Sequence, residues 1–335
     1  MAMKVGFIGA GGIAGAHMPN VAGREDTQIV AVCDINEQQA AKVAQQYGAR
    51  PYGDYRKMLE AEDLDAAYVC LPPGAHGTIE LDLAQARMPF CIEKPVNLDA
   101  AAAVKTVRAV RRKKLVTSVG YQVRYAPQVQ KAREYVAAQR PSLVEGWFVG
   151  GMPGTPWWRV KAVSGGQAVE QTTHIFDLAR YIVGEVALVS AFGSTGNMTD
   201  IESYDIEDAS VAVLQFENGA VGHITSGCML TEAGDRRTGL KVDGRSYSVH
   251  CTYWSLKIVS KEGTAEEDHS NSLGPAMKEL DLAFLNAAQT GDTSKVRCSY
   301  EDGLRSAAVS LAVNKSMETG KPVSPAQLLR QAGLR

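Results

Sequence analysis

KVGFIGAGGIA, residues 4–14, is the stretch that decides the fold of the first half of the chain. An apolar, strand-like run leads directly into Gly9, Gly11 and Gly12, and Ile13 and Ala14 follow, which fits the pattern G-x-G-x-x-A. Glycines at these places let the backbone turn tightly and approach a pyrophosphate, whose charge rests on the amino terminus of the next helix. Glycine-rich turns are common, so this pattern needs support from its surroundings.

The end of the second strand gives that support. Asp34 follows the apolar residues 29–33, at about the spacing expected for the acid that binds a ribose 2′-hydroxyl. No arginine accompanies Ile35 and Asn36 to receive a 2′-phosphate, which favours NAD over NADP. Asp34 could also cap a helix, and the two roles are compatible. The residues predicted to bind the dinucleotide are Gly9, Gly11, Gly12, Ile13 and Asp34.

Short apolar strands alternate with helical stretches up to about Gly120. The pattern indicates strands at residues 5–8, 29–33, 66–71, 90–92 and 116–119, and helices at residues 36–47, 54–61, 78–86 and 99–112. Asn36 and Gln39 resemble a capping box, and Gly48 is typical of a helix end. This alternation predicts an α/β fold with a doubly wound parallel sheet and right-handed crossovers.

Lys94 stands in the triplet Glu93-Lys94-Pro95, directly after the apolar run at residues 90–92. This position is the carboxyl edge of the predicted sheet, where open α/β sheets bind their ligands. Pro95 removes a backbone donor, restricts Lys94 to extended geometry and could follow a cis bond. Strand propensity does not require such a triplet, so we interpret Lys94 as a functional residue.

The pattern changes after Tyr121. Helices are predicted near residues 126–138 and 168–183, and longer strands with period-two texture run from residue 186 to about residue 259. Asn218-Gly219 predicts a β-hairpin between two of these strands. Strands joined by hairpins, with helices gathered on one side, indicate an α+β domain. We therefore expect one domain over residues 1–122 and a second over residues 123–335, whose last helices, near residues 276–290 and 301–319, could pack back on the first.

Glu170, His174 and Asp177 lie at i, i+4 and i+7 and would share one face of the helix predicted at residues 168–183. A carboxylate one turn from a histidine can fix its tautomer and raise its basicity. A histidine in a helix could equally be structural or merely exposed. A metal site is a further alternative, but no second segment supplies matching ligands, and we expect no metal.

A loop rich in proline, glycine and tryptophan precedes this helix. Trp157, Trp158 and Arg159 could stack on a sugar or a nicotinamide, or they could pack beneath a rigid loop. Tyr121 and Arg124 are weaker candidates for contacts with a substrate hydroxyl or carboxylate.

Composition narrows the classes of function. The chain has 335 residues, a net charge of −2 and no basic stripe, so neither one small domain nor nucleic-acid binding is expected. The six cysteines form no C-x-x-C pair, which suits reduced, buried thiols in a cytoplasmic protein. The first residues enter a strand directly, unlike a signal peptide, and no apolar stretch is long enough to span a membrane.

Taken together, these motifs resemble the glucose–fructose oxidoreductase, inositol dehydrogenase and rhizopine-catabolism (Gfo/Idh/MocA) family. The resemblance runs from end to end of the chain. The matching segments, in the order of that family, are the glycine turn, Leu71-Pro72-Pro73 with His76, Glu93-Lys94-Pro95, Trp158-Arg159, Gly165-Gly166 with His174 and Asp177, and Thr319-Gly320-Lys321-Pro322-Val323.

The resemblance implies a Rossmann domain followed by a large, mostly antiparallel open sheet, with the substrate between that sheet and the nicotinamide. It implies a catalytic pair of Lys94 and His174, with Glu170 at a position where many members have aspartate. Because the glutamate side chain is longer by one bond of about 1.5 Å, this difference weakens any transfer of substrate identity. The residues that the resemblance assigns to the cofactor or the adjoining pocket are Leu71, Pro72, His76, Glu93, Lys94, Gln122, Trp158 and Arg159.

The function that this resemblance implies is an NAD(P)-dependent dehydrogenase acting on a secondary alcohol of a sugar, sugar derivative or cyclitol. The candidate substrate contacts are Lys94, Tyr121, Glu170, His174 and Asp177. Either Lys94 or His174 could take the proton of the alcohol. Two alternatives share the fold: a redox-neutral NAD-dependent glycosidase and a non-catalytic, nucleotide-dependent regulator. One face of the second sheet is expected to meet another subunit, as in relatives, giving a homodimer or homotetramer.

Overall fold

The computed structural model describes residues 2–334. Its first half is built on a six-stranded sheet in the order β3-β2-β1-β4-β5-β6, and every neighbouring pair of strands is parallel. The strands are β1 (Met3–Ile8), β2 (Thr27–Cys33), β3 (Arg50–Tyr52), β4 (Ala66–Val69), β5 (Phe90–Ile92) and β6 (Thr117–Val119). The predicted doubly wound parallel sheet is confirmed. The sequence analysis did not predict β3, a short edge strand with a proline at its centre.

Helices connect these strands, and their ends follow the local sequence. They are α1 (Gly12–Ala22), α2 (Glu37–Tyr47), α3 (Tyr55–Ala61), α4 (Ile79–Gln85) and α5 (Ala100–Lys113). The Asn36 side chain accepts a hydrogen bond from the backbone of Gln39, and Gly48 ends α2 with a φ of 65°. The predicted cap and helix end are thus both present.

The second half is built on an eight-stranded sheet in the order β14-β13-β12-β11-β7-β10-β9-β8. Its strands are β7 (Pro141–Val149), β8 (Val186–Ser194), β9 (Ala209–Phe216), β10 (Val221–Gly227), β11 (Arg237–Gly244), β12 (Tyr247–Thr252), β13 (Ser255–Ser260) and β14 (Gly263–Asp268). All pairs are antiparallel except β7 with β10. Asn218 and Gly219 form the predicted hairpin turn between β9 and β10.

The helices of the second half cover one face of this sheet and return to the first half. They are α6 (Pro127–Ala137), α7 (Lys161–Ser164), α8 (Gln167–Glu170), α9 (Thr173–Val183), α10 (Leu273–Thr290), α11 (Tyr300–Thr319) and α12 (Pro325–Gln331). Phe284 of α10 and Leu304 of α11 are buried within the cores of the six-stranded sheet. The C-terminal helices therefore pack on both halves.

The prediction of one helix over residues 168–183 was wrong. The chain forms two helices there, α8 and α9, and Gln171 and Thr172 separate them. Gly165 and Gly166, with φ of 78° and 90°, precede α8 and set its direction. Helical spacing alone therefore could not place Glu170 relative to His174.

The two faces of the eight-stranded sheet differ in burial. Val144, Leu214 and Ile224 alternate with exposed residues and are buried in the core with α6 and α9. The opposite face carries exposed apolar side chains at the end formed by β7 to β10, including Phe192 at 72% and Val213 at 51% exposure. Within residues 2–334, no helix combines the length and apolar character that crossing a membrane requires.

Candidate active site

The glycine turn between β1 and α1 has the geometry that an anion site needs. Gly9 has a φ of 95°, and a Cβ there would lie 2.2 Å from the carbonyl oxygen of Cys70. Gly11 precedes α1 without a side-chain cap, and a Cβ on Gly11 or Gly12 would meet open space. The start of α1 is therefore open at Gly11 and Gly12, and the next residue, Ile13, is exposed. These residues fit a pyrophosphate on a helix amino terminus.

Asp34 lies beside this turn at the end of β2. One carboxylate oxygen accepts the backbone N–H of Ala10 at 2.9 Å, and the other accepts that of Asn36 at 2.9 Å. Gln39 donates to the carbonyl of Ala10 at 2.7 Å, which fixes the turn from a second side. Asp34 thus organises the loop, and its partly exposed carboxylate retains lone pairs for a ribose hydroxyl.

The loop after β4 brings Leu71 and Pro72 to the same edge of the sheet, followed by a 3-10 turn at Pro73–Ala75. The His76 side chain is fully buried, with Nδ1 at 2.8 Å from Glu80 and Nε2 at 3.3 Å from the carbonyl oxygen of Leu71. Burial alone would lower the pKa of His76, but Glu80 raises it above its usual value. His76 therefore fixes the Leu71 loop through the contact of Nε2 with the Leu71 carbonyl oxygen. Its ring has no exposed surface for a direct cofactor contact.

Lys94 follows β5, and the Lys94–Pro95 peptide bond is cis. Its ammonium donates to the carboxylate of Glu170 at 2.7 Å and to the carbonyl of Glu170 at 2.8 Å. The ammonium also lies 5.8 Å from the ring centre of Trp158. The lysine of the first half and the glutamate of the second half are thus joined directly.

Glu170 and His174 are both buried, with different electrostatic consequences. Burial raises the pKa of Glu170 to about 7, although Lys94 acts in the opposite direction. Burial, helped by the charge of Lys94, lowers the pKa of His174 well below its usual value. The imidazole is therefore neutral near pH 7. Within residues 2–334, its Nδ1 is buried without a hydrogen-bond partner, as is Oε2 of Glu170.

Asp177 and Tyr121 make internal contacts instead of facing the Lys94–Glu170 pair. Both oxygens of Asp177 accept hydrogen bonds from Arg124, at 2.6 and 2.9 Å, and Ser306 also donates to Asp177. The hydroxyl of Tyr121 lies 2.9 Å from the hydroxyl of Thr173, and the Tyr121 ring packs edge-on against His174. Because these polar atoms are already paired, the geometry does not support Asp177 as a substrate ligand.

The remaining predicted residues differ in their burial and in their contacts. Glu93 is buried and points into the first half, where it contacts His17 at 3.1 Å. The side-chain amide oxygen of Gln122 is buried without a hydrogen-bond partner among the described residues. Trp158 stacks on Trp157 with ring centres 5.4 Å apart, and Arg159 donates to the carbonyl of Glu202 at 3.4 Å.

Tyr253 is a residue of this site that the sequence analysis missed. It lies in the turn between β12 and β13, and its ring packs edge-on against His174 with centres 6.3 Å apart. Its hydroxyl is buried without a partner among residues 2–334. Nothing in the local sequence marks Tyr253, because it lies 79 positions from His174.

The arrangement can support chemistry at a hydroxyl group. It joins a cation, a carboxylate and a neutral imidazole at the edge of a sheet whose glycine turn fits a dinucleotide. Within the described part of the chain, no group of three or more His, Cys, Asp or Glu side chains could hold a metal ion. Fold and site together define a nucleotide-dependent oxidoreductase of the Rossmann class.

Comparison with known families gives the particular family. The oxidoreductase-family model with the NAD-binding Rossmann fold matches residues 3–121, and the GFO/IDH/MocA C-terminal domain model matches residues 129–257. The chain belongs to the GFO/IDH/MocA family of NAD(P)-dependent dehydrogenases. The predicted resemblance, fold class and NAD cofactor are confirmed.

Similar proteins cover nearly the full length of the chain. A myo-inositol 2-dehydrogenase of Thermotoga maritima is 26% identical over 333 residues, covering 96% of this chain and 98% of its own. An uncharacterized oxidoreductase of Bacillus subtilis is 27% identical over 328 residues, covering 95% of both chains. A solved levoglucosan dehydrogenase in complex with NADH is 21% identical, has a TM-score of 0.86 and covers 97% of this chain and 99% of its own. At that identity, the solved structure supports the fold alone.

Proposed function

We propose that this dehydrogenase oxidises a secondary alcohol of a sugar, sugar derivative or cyclitol with NAD as the hydride acceptor. The observation that carries the proposal is the direct contact of Lys94 with Glu170, 2.7 Å between charged atoms, beside a buried neutral His174. A hydroxyl-bearing substrate is supported by the relatives, among which is a myo-inositol 2-dehydrogenase.

Each side chain of this cluster has a distinct role in the proposed reaction. When bound, the nicotinamide accepts the hydride that leaves the alcohol carbon. Lys94 holds the alcohol oxygen and stabilises the negative charge that develops there. His174 accepts the hydroxyl proton, because it is the neutral base of the cluster, whereas the Lys94 ammonium is hydrogen-bonded to Glu170.

Glu170 tunes this proton transfer. Its carboxylate offsets the charge of Lys94, which would otherwise weaken His174 as a base. Below about pH 7 the carboxylate takes up a proton, because burial has raised its pKa to about 7. The cluster then carries one more positive charge, and proton transfer to His174 becomes less favourable. Oxidation should accordingly slow on the acid side of neutrality.

The cofactor site comprises the turn Gly9 to Ile13, Asp34, the Leu71–Pro72 loop and Gln122. Asp34 is held by two backbone N–H groups, so its carboxylate is ready to accept a ribose 2′-hydroxyl and would repel a 2′-phosphate. The neighbouring Ile35 and Asn36 provide no cation. We therefore assign NAD over NADP as the preferred cofactor.

A screen of NADH formation at 340 nm tests this function. The purified protein would be assayed with a panel of polyols, aldoses, cyclitols and uronates, once with NAD and once with NADP. We expect turnover with at least one cyclitol or sugar, and faster turnover with NAD. Faster turnover with NADP would contradict the role of Asp34. No turnover with any alcohol, or cleavage of a glycoside without net NADH, would contradict the dehydrogenase assignment.

The exposed face of the eight-stranded sheet supports self-association. Leu143, Phe192, Val211, Val213 and Val221 place apolar side chains on one open surface, larger than isolated exposed residues would form. We assign this face to the contact between subunits of a homodimer or homotetramer. Light scattering should give more than one subunit per particle, and Val213→Asp should shift the mass towards the monomer. A monomeric wild type would contradict the assignment.

The cysteines support a cytoplasmic location. All six are buried and unpaired in the described structure. Free thiols of this kind persist in a reducing compartment.

A further inference from the structure

A buried charged cluster behind Lys94 joins three segments that lie far apart in the sequence. His17 of α1 contacts Glu93 through Nε2 at 3.1 Å and Asp281 of α10 through Nδ1 at 2.6 Å. The three side chains are at most 5% exposed. We call His17, Glu93 and Asp281 the buried triad.

Burying the triad costs free energy of folding. Two carboxylates and one imidazole have left water, and an apolar core of the same volume would avoid that cost. Burial alone would lower the pKa of His17, but Asp281 and Glu93 overcome it and raise the pKa to about 10. The ring is therefore an imidazolium near neutrality, with each N–H directed to one carboxylate.

Glu93 connects this triad to the catalytic lysine. One carboxylate oxygen contacts His17, and the other accepts the backbone N–H of Lys94 at 3.2 Å. Gly120 leaves the space that this carboxylate occupies, since a Cβ there would lie 2.2 Å from Oε1 of Glu93. Glu93 thus contacts both His17 and the backbone of Lys94, just after the end of β5.

We propose that His17 is a positioning residue for Lys94, acting through Glu93 on the backbone from which the lysine side chain extends. The inference rests on the proposed function of Lys94 at the substrate oxygen. Lys94 must place its ammonium beside both Glu170 and the alcohol, and a displacement of about 1 Å can cost about 100-fold in rate. His17 is held in turn by Asp281, so α10 of the C-terminal region contributes to the geometry of the site.

Asn20 provides a matched control on the same helix. Its side chain donates to the second oxygen of Asp281 at 2.7 Å, but it does not contact Glu93. Replacing Asn20 therefore removes one hydrogen bond from the Asp281 carboxylate. The contacts of Glu93 with His17 and with the backbone of Lys94 do not involve Asn20. A role confined to stability would make the variants at Asn20 and His17 behave alike in catalysis.

The test compares His17→Gln and Asn20→Ala with the wild type. Turnover is divided by the number of NADH-binding sites, titrated by NADH fluorescence, so that unfolded protein does not count. We expect His17→Gln to lower kcat per binding site about 10-fold or more with little change in the Kd for NADH, and Asn20→Ala to leave kcat per site within about twofold. An unchanged kcat per site in His17→Gln would overturn the proposal.

Crystal structures of the wild type and His17→Gln provide a readout that does not depend on turnover. We expect the Lys94 ammonium to move away from the Glu170 carboxylate in the variant, and an unmoved ammonium would overturn the proposal. If the wild type oxidised no alcohol, the proposed function would fail, and the position of Lys94 would still decide the role of His17. Should His17→Gln not fold, Asp281→Asn, which keeps an acceptor for His17 but removes one charge, undergoes the same two measurements.

Discussion

The surroundings of two buried histidines give them opposite charge states. His17 and His174 are both almost removed from water, at 1% and 9% exposure. Around His174, burial and the Lys94 ammonium both lower the pKa, so the imidazole is neutral. Around His17, the carboxylates of Asp281 and Glu93 outweigh burial and raise the pKa to about 10. The charged neighbours therefore decide which form each histidine takes.

The difference also separates a residue that holds structure from one that is free to react. Both nitrogens of His17 contact carboxylates, so the ring has no atom left to exchange a proton with a ligand. Nδ1 of His174 has no partner among the described residues, and its ring is bordered by Tyr121 and Tyr253. A neutral and incompletely paired imidazole is suited to accept a proton.

The largest effect is expected from His174→Asn. Loss of the proposed base should lower kcat for alcohol oxidation about 100- to 10,000-fold. The melting temperature should change little, because Nδ1 of His174 has no hydrogen-bond partner among residues 2–334 that the variant would lose. Initial rates at 340 nm and thermal unfolding measure the two effects. Near-normal turnover together with a large loss of stability would mean that His174 is structural and not the base.

The next largest effect concerns stability, through His17. The folded pKa of about 10 lies above the unfolded value of 6.5, so the stabilisation is complete below pH 6.5 and disappears as pH rises towards 10. Across this range the free energy of unfolding should fall by a few kcal/mol more in the wild type than in His17→Gln, since one pKa unit corresponds to about 1.4 kcal/mol. Denaturant unfolding at several pH values gives this difference. Parallel pH dependences would mean that His17 is not charged in the fold.

A smaller effect is expected in the pH profile of the Glu170→Gln variant. The wild type should lose kcat/KM below about pH 7 as Glu170 takes up a proton. The variant should be slower at pH 8, by about 10-fold, and should lack that acidic limb because its amide does not titrate. If the limb persisted unchanged near pH 7, another group would have to cause it.

The smallest effect is expected from Glu170→Asp, which shortens the side chain by one methylene group and keeps the carboxylate. The carboxylate retreats by about 1.5 Å, one C–C bond. Lys94 keeps its hydrogen bond to the backbone carbonyl at position 170, which is 2.8 Å long in this chain. We expect kcat to fall about three- to tenfold, equivalent to one hydrogen bond of about 1 kcal/mol. A loss as large as that of His174→Asn would mean that the length of Glu170 is essential.

Local pattern was sufficient to predict much of the first half. The turn at Gly9 and the cap at Asn36 are determined by residues within a few positions of each other, as are the alternating strands and helices. Lys94 was identified because a lysine and a proline directly after an apolar strand need a reason. The break between α8 and α9 was missed, because it falls at Gln171 and Thr172, where no glycine or proline marks the end of a helix.

The contacts of His17 and Asp177 with charged side chains could not be predicted from the sequence. His17 lies 264 positions from Asp281 and 76 from Glu93, so no local pattern connects them. Asp177 was expected near the substrate because it follows His174 by three residues. Its pairing with Arg124 comes from the way α9 packs, which brings together residues 53 positions apart. Long-range pairing of this kind depends on the whole fold.

Lys94 and His174 are proposed to act on the same hydroxyl group, and a double-mutant cycle on kcat measures this directly. Lys94→Ala, His174→Asn and the double variant would be compared with the wild type at saturating NAD and alcohol. We predict that each single change lowers kcat about 100-fold or more and that the double variant is little worse than the slower single variant, because both side chains serve one proton transfer. Losses that multiply in the double variant, or full turnover in either single variant, would contradict the account.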